Sequence, residues 1–322
     1  MTFLFAYIIR SIVASGILYA WYLVALRNRK FHVYNRVYLL SAVAASLILP
    51  FANFKCFDIT QAESTTFKSL ISALSLPEAG RHGASLNAPV LITCMTMISL
   101  FLLTVMVLKI IRVHRIKRAY GCIRLGNIDF IETGIREAPF SFFNNLFWRE
   151  DISTTDSNGK RIFRHEMTHI RQRHSYDKMC VQTVTCIWWM NPFYWLIQKE
   201  LNVVHEFMAD AAAVEEGDTG SFAMMLLQCH NQGRHLDPSH YFFQSPVLRR
   251  LKMIASPGNR SSGLLRKCLV LPLIALLSIL FSFKMSPIKN DAPTVQQIEK
   301  EYPSSPQSAR SFSIKYRYWT DI

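Results

Sequence analysis

Three long apolar runs decide what this chain can fold into. They cover residues 2–26, 33–54 and 89–113, and each meets the length of about 20 residues that a helix needs to cross hydrocarbon. A helix also satisfies its own backbone hydrogen bonds, which lipid cannot do. A fourth run, 268–283, is shorter and contains Pro272. Composition agrees: half of the 322 residues are hydrophobic and 18% are charged, against about 25% charged in a soluble domain. The first run has no basic leader and no small-residue cleavage site, which predicts a retained span rather than a removed signal peptide.

Orientation follows from the positive charges, because short basic loops stay on the cytoplasmic side. Residues 27–36 hold Arg27, Arg29, Lys30 and Arg36 and no acid, whereas 55–87 mixes Lys55, Lys68 and Arg81 with Asp58, Glu63 and Glu78. Lys109, Arg112, Arg115, Lys117 and Arg118 close the third run, and Arg249, Arg250, Lys252, Arg260, Arg266 and Lys267 precede the fourth. The chain therefore divides into a three-helix membrane domain (1–113) with its N-terminus outside, a cytosolic domain (114–267), a fourth span (268–283) and an outer tail (284–322). That tail, rich in Ser, Pro and Gln, is expected to be disordered. The formal charge of +14 sits at the borders of the runs. There it meets anionic lipid headgroups, and no direct nucleic acid binding is expected. The seven cysteines form no C-x-x-C pair and imply no disulfide framework.

The chemistry lies in the cytosolic block, in His165-Glu166-Met167-Thr168-His169. Residues i and i+4 of a helix are about 400° apart, so the two imidazoles share a face and can serve one metal ion, zinc above all. Glu166 lies about 100° round. From there it can take a proton from a water activated by the metal and pass it to a leaving amine. A catalytic zinc keeps three protein ligands and one open position. His205-Glu206-Phe207-Met208-Ala209-Asp210 offers Glu206 as the third ligand, with Asp210 behind it as acceptor for the second nitrogen of a ligand histidine. His205, about 100° from the Glu206 direction, is the alternative. Asn191 as N-cap and Pro192 as first residue start that helix, which runs to Ala213.

His174 lies about 180° from His165 on a continuing helix and reads as structural, with Asp177 as a helix-end partner. A Ser-x-x-Lys string from Ser157 to Lys160 falls in a turn before the zinc helix and reads as chance. Between 121 and 155 the pattern turns to short β-rich runs at 128–131, 139–143 and 146–148. Pro139, Phe140, Ser141, Phe142 and Phe143 form the candidate for an edge strand that pairs with extended substrate, or for its neighbour; the alternative is a core strand rich in phenylalanine. Residues 179–197 also have the length of a span. One crossing there would part His165 from Glu206, and the stretch is too short for an intramembrane hairpin. Two buried helix segments broken at Asn191-Pro192 are expected, resting on the bilayer surface through Trp188, Trp189 and Trp195.

The run from His165 through His174 to Asp177, the run from Trp188 to Trp195 and the run from His205 to Asp210 together resemble the membrane metallopeptidases of the BlaR/MecR-type beta-lactam signal transducers. Residues 139–143 look like that family's strand before the zinc helix, and the likeness extends from the N-terminus to about Phe283. The resemblance implies a mainly α membrane protein of about four transmembrane helices, with a cytosolic zincin-like α+β metalloprotease domain inserted between the third and fourth. It implies a bacterial inner-membrane location with both termini periplasmic, and Zn2+ held by His165, His169 and Glu206 beside the catalytic Glu166. The expected partners are a protein substrate such as a cytosolic transcriptional repressor, the lipid bilayer, and a second copy of the chain. Antibiotic-sensing members carry a penicillin-binding-type domain after the last span, whereas about forty residues follow Phe283 here. A quality-control protease of the HtpX type and a non-catalytic receptor or scaffold are the alternatives. The intact His165, Glu166 and His169 speak against the last.

Overall fold

The computed structural model describes residues 2–51, 88–214, 219–231 and 246–256. The expected fourth span, the loop 55–87 and the tail 284–322 lie outside the described residues. Helix α1 (Thr2–Trp21) continues through a π-helical turn at Tyr22–Leu26, and α2 (His32–Ile48) ends in a 3-10 turn at Leu49–Phe51. Then come α3 (Ala88–Ala119), strands β1 (Cys122–Leu125), β2 (Ile128–Thr133), β3 (Phe140–Phe142) and β4 (Asn145–Arg149), and helices α4 (Ser157–Arg171), α5 (His174–Ile187), α6 (Pro192–Ala213), α7 (Thr219–Asn231) and α8 (Pro246–Ala255). The result is mostly helical with one small sheet.

Among the described residues, two helical stretches, Tyr7–Leu26 and Pro89–Ala119, are long and apolar enough to cross a membrane. They differ in company. The first packs against α2 and α6, whereas none of the apolar window of α3 is buried, and Met97, Leu100, Phe101 and Leu108 all point outward. Helix α3 meets the rest of the protein along α5, where the Ser99 hydroxyl donates to the Ile187 carbonyl at 3.2 Å, and its remaining apolar faces are exposed, which suits lipid rather than water.

Helix α6 is the hub, touching α1, α2, α4, α5 and α8. Its start is built by Asn191, whose side-chain oxygen accepts from the Phe193 N–H at 3.0 Å while its amide donates to Ser15 at 2.9 Å. One turn on, the Tyr194 hydroxyl lies 3.0 Å from Ser11 and 2.9 Å from Ser46, tying α6 to both α1 and α2. Phe193 lies so close to α1 that a Cβ on Gly16 would sit 2.8 Å from its ring, so a larger residue there would require the ring to move. Leu18, Tyr22, Leu39, Val43, Val181, Ile197, Leu201 and Val204 fill the space between these helices.

The two helix segments expected within 179–197, broken at Asn191-Pro192, belong to α5 and α6. Helices α5 and α6 do form a hairpin, with its tip at 188–191 beside the middle of α1, where Trp188 packs on Tyr7 at 5.1 Å. Helix α5 begins at His174 and α6 runs on to Ala213, so both arms are longer than the apolar run 179–197.

The sheet has strand order β1-β2-β4-β3, with β2 and β4 parallel and the other pairs antiparallel. Phe130, Leu146 and Trp148 from its inner face pack against Ile162, Phe163, Met167 and Ile170 of α4. The expected run 139–143 narrows to β3: Phe143 has φ 51° and turns the chain, its N–H bonded to Ser175 at 2.9 Å, and Pro139 lies before the strand. Strand β3 is an edge of the sheet, as is the unexpected β1, exposed along its length. Lys117 near the end of α3 reaches Asp129 and Asn145, both at 2.6 Å, and fastens the sheet to that helix. Ser157 to Lys160 form the first turn of α4, not a turn before it.

Candidate metal centre

Helices α4 and α6 pack side by side and bring His165, His169 and Glu206 to one point. The two Nε2 atoms are 3.3 Å apart, His165 Nε2 lies 3.5 Å from Glu206 Oε2, and His169 Nε2 lies 3.6 Å from Glu206 Oε1. A tetrahedral ion with bonds of about 2.0–2.1 Å holds its ligand atoms about 3.3–3.4 Å apart. The triangle therefore fits a metal ion of zinc's size before any side chain moves, and two imidazole nitrogens with one carboxylate oxygen are a donor set that zinc takes.

Each ligand histidine is backed on its far nitrogen. His165 Nδ1 lies 3.2 Å from Asp210 Oδ1, the position expected for Asp210. Arg250 of α8 grips that same carboxylate through two nitrogens, Nε to Oδ2 at 2.7 Å and Nη2 to Oδ1, and its Nη1 lies 3.2 Å from Glu206 Oε2. His169 Nδ1 lies 2.8 Å from His174 Nδ1. This last contact overturns the helical extrapolation. Helix α4 stops at Arg171, Arg173 turns left-handed at φ 57°, and α5 restarts at His174 in a new direction that carries its ring under His169. His205 is not in the ligand group: its Nε2 is 3.0 Å from Asp177 Oδ2, and its ring stacks on His174 at 4.1 Å. Asp177 in turn pairs with Arg36 and His205 rather than with a helix end.

The electrostatics divide the site. Burial opposes a charge on His165, but hydrogen bonds to Asp210 and Glu206 outweigh it and raise its pKa to about 9. Burial lowers His169 to about 3, Glu206 only partly offsetting it, and the neighbouring His165 charge, with the two Nε2 atoms 3.3 Å apart, opposes a second positive charge there. Burial pushes Glu206 up, yet the hydrogen bond from His165 and the Arg250 charge hold it well below the usual carboxylate range. Asp210 is depressed against the same burial by Arg250 and His165. Glu166 goes the other way. Burial raises it, and the His165 charge and a hydrogen bond from the Ser141 hydroxyl of β3 only partly offset this. A half-buried carboxylate with a raised pKa is suited to accept a proton near neutrality.

The family model described as BlaR1 peptidase M56 matches residues 150–254, a stretch that begins just after β4 and ends inside α8. It contains His165, Glu166, His169, His174, Glu206, Asp210 and Arg250 together. Over this third of the chain the protein is similar to the BlaR1 peptidase M56 family. No curated protein matches the chain. The M56 match accounts for the helices of the site and for Arg250, but β3, with Ser141 against Glu166, lies ahead of it. Sequence reasoning singled out neither Arg250 nor Ser141 as a partner of these groups. No spacing rule links α8 to α6 across intervening chain, and only packing reveals either contact.

Proposed function

We propose that this chain is a zinc metalloendopeptidase of the bacterial inner membrane that cleaves a cytosolic protein, a transcriptional repressor being the best-fitting class, when a signal arrives from outside. The carrying observation is the His165, His169 and Glu206 triangle at the spacing of a tetrahedral ion, with the raised-pKa Glu166 on the same helix. In this reading α1, α2, α3 and residues 268–283 cross the bilayer, both termini are periplasmic, and 114–267 form the cytosolic domain. The α5–α6 hairpin enters lipid and returns without crossing, which keeps His165 and Glu206 on one side.

His165, His169 and Glu206 would hold the zinc, which would supply Lewis acidity toward a water molecule and the scissile carbonyl. The rest is done by the chain. His165 and His169 present Nε2 because their Nδ1 atoms are engaged by Asp210 and His174. Glu166 takes the proton of the attacking water and returns it to the leaving amine. The free edge of β3 takes the substrate backbone as an added strand, next to the Glu166 that Ser141 holds.

The test uses the purified full-length protein, metal analysis, and cleavage of fluorescently labelled casein. One zinc per chain is expected, lost in His165→Ala and His169→Ala. Glu166→Ala keeps the metal and loses cleavage by about 10²–10⁴-fold. Full occupancy in both histidine variants, or undiminished cleavage by Glu166→Ala, overturns the reading.

A further inference from the structure

We infer that Arg36, in the second turn of α2, is a positioning residue for the metal ligand His169, acting through Asp177, His205 and His174. The inference rests on the metallopeptidase reading and names a route by which a membrane helix sets the state of that site.

The route is continuous. Arg36 Nε donates to Asp177 Oδ2 at 2.6 Å, and its Nη2 donates to the Gln172 carbonyl at 2.7 Å. Those two acceptors flank the break between α4 and α5: Gln172 closes the first helix and Asp177 stands in the first turn of the second. One guanidinium thus clasps the break that swings His174 under His169. The left-handed residue inside it is Arg173, with no glycine to make that conformation easy, so the clasp supplies what the local sequence does not. Asp177 Oδ2 also takes His205 Nε2 at 3.0 Å, and the His205 ring lies over His174, 4.1 Å away and 15° from parallel.

Proton positions follow from the chain of contacts. His169 must offer a lone pair at Nε2 to act as ligand, so its proton is on Nδ1 and is donated to His174 Nδ1. His174 therefore carries its own proton on Nε2, which faces Gln172 Oε1 at 3.1 Å. Both His174 and His205 are sealed from solvent. His165 leans on a carboxylate, whereas His169 leans on a neutral imidazole whose place is fixed by packing and by Arg36. A lysine cannot replace Arg36, because the two acceptors need two nitrogens fixed at an angle.

The experiment measures metal affinity by chelator competition, the visible spectrum of the cobalt(II)-loaded protein, and kcat and KM for labelled casein, on full-length protein. Arg36→Lys, Arg36→Met and Asp177→Asn are each expected to weaken metal binding about 10–100-fold. They should alter the cobalt bands and lower kcat with KM unchanged. The double variant Arg36→Met/Asp177→Asn should be no weaker than the worse single variant, since both cut one path. Arg29→Met, at an exposed arginine in the turn before α2, should match wild type. If Arg36→Lys and Asp177→Asn bind metal and give cobalt bands as wild type does, the positioning role is wrong while the peptidase reading stands. If the wild-type chain takes up no metal, both fall.

Discussion

If His165 is a metal ligand as proposed, a proton and the metal ion compete there for one lone pair. In the metal-free protein its pKa is about 9, burial working against the shift and Asp210 and Glu206 producing it. A histidine raised above its unfolded value of about 6.5 contributes stability that is fully present below that value and lost as pH rises through the folded one. The metal-free protein should therefore melt at progressively lower temperature between about pH 6.5 and 9. Metal loading removes the proton, so metal affinity should rise about tenfold per pH unit until near pH 9 and then level off. Asp210→Asn takes away one of the two hydrogen bonds that raise His165. It should weaken metal binding about 10–100-fold and move the levelling point to lower pH. Chelator competition across a pH series reads both; a levelling point that stays at 9 in Asp210→Asn would show that Asp210 does not set this proton.

Helix α4 can begin where it does only because residue 159 has no side chain. A Cβ there would lie 1.8 Å from the Ser153 carbonyl oxygen, a backbone atom that cannot swing aside. Gly159→Ala should force residues 153–156 off the helix, cost about 1–3 kcal/mol or more, and lower zinc content with it, since His165 stands on the next turns. Thermal melts and metal analysis decide; a variant that melts with wild type would mean the loop yields freely. The same element marks what the residues did and did not disclose. Helical phase and the i, i+4 rule bring out His165, His169, Glu206 and Asp210, because both helices run unbroken through those residues. The start of α6 is equally legible, since Asn191 and Pro192 act locally. His174 escapes that logic. Periodicity says which face a residue takes while a helix lasts, and the left-handed Arg173 that ends this one carries no glycine or proline signal. Strand β1 escapes for another reason: it buries no side chain, so no alternation marks it.

On the scale of the whole molecule, the α5–α6 hairpin decides whether the site and the membrane are one machine. Its tip is held to α1 and α2 by polar pairs, Asn191 with Ser15 and Tyr194 with Ser11 and Ser46. Such pairs are worth about 1 kcal/mol each between helices in lipid, and they fix the tip against the middle of α1. If α1 spans, as its length and composition allow, the tip lies near the centre of the bilayer and the triangle of His165, His169 and Glu206 lies further along α4 and α6. A nitroxide placed by Met190→Cys, at the exposed outer side of the tip, reports that depth directly. In nanodiscs the label should be relaxed by dissolved oxygen and shielded from a water-soluble nickel complex, while labels introduced by Asp156→Cys and Arg29→Cys should show the reverse. Reporter fusions after residues 29 and 217 should both read cytoplasmic, and one after residue 63 periplasmic. A water-exposed label at 190 would place the hairpin outside lipid, and a periplasmic reading at 217 would make it a crossing, which the 3.5 Å approach of His165 to Glu206 does not permit.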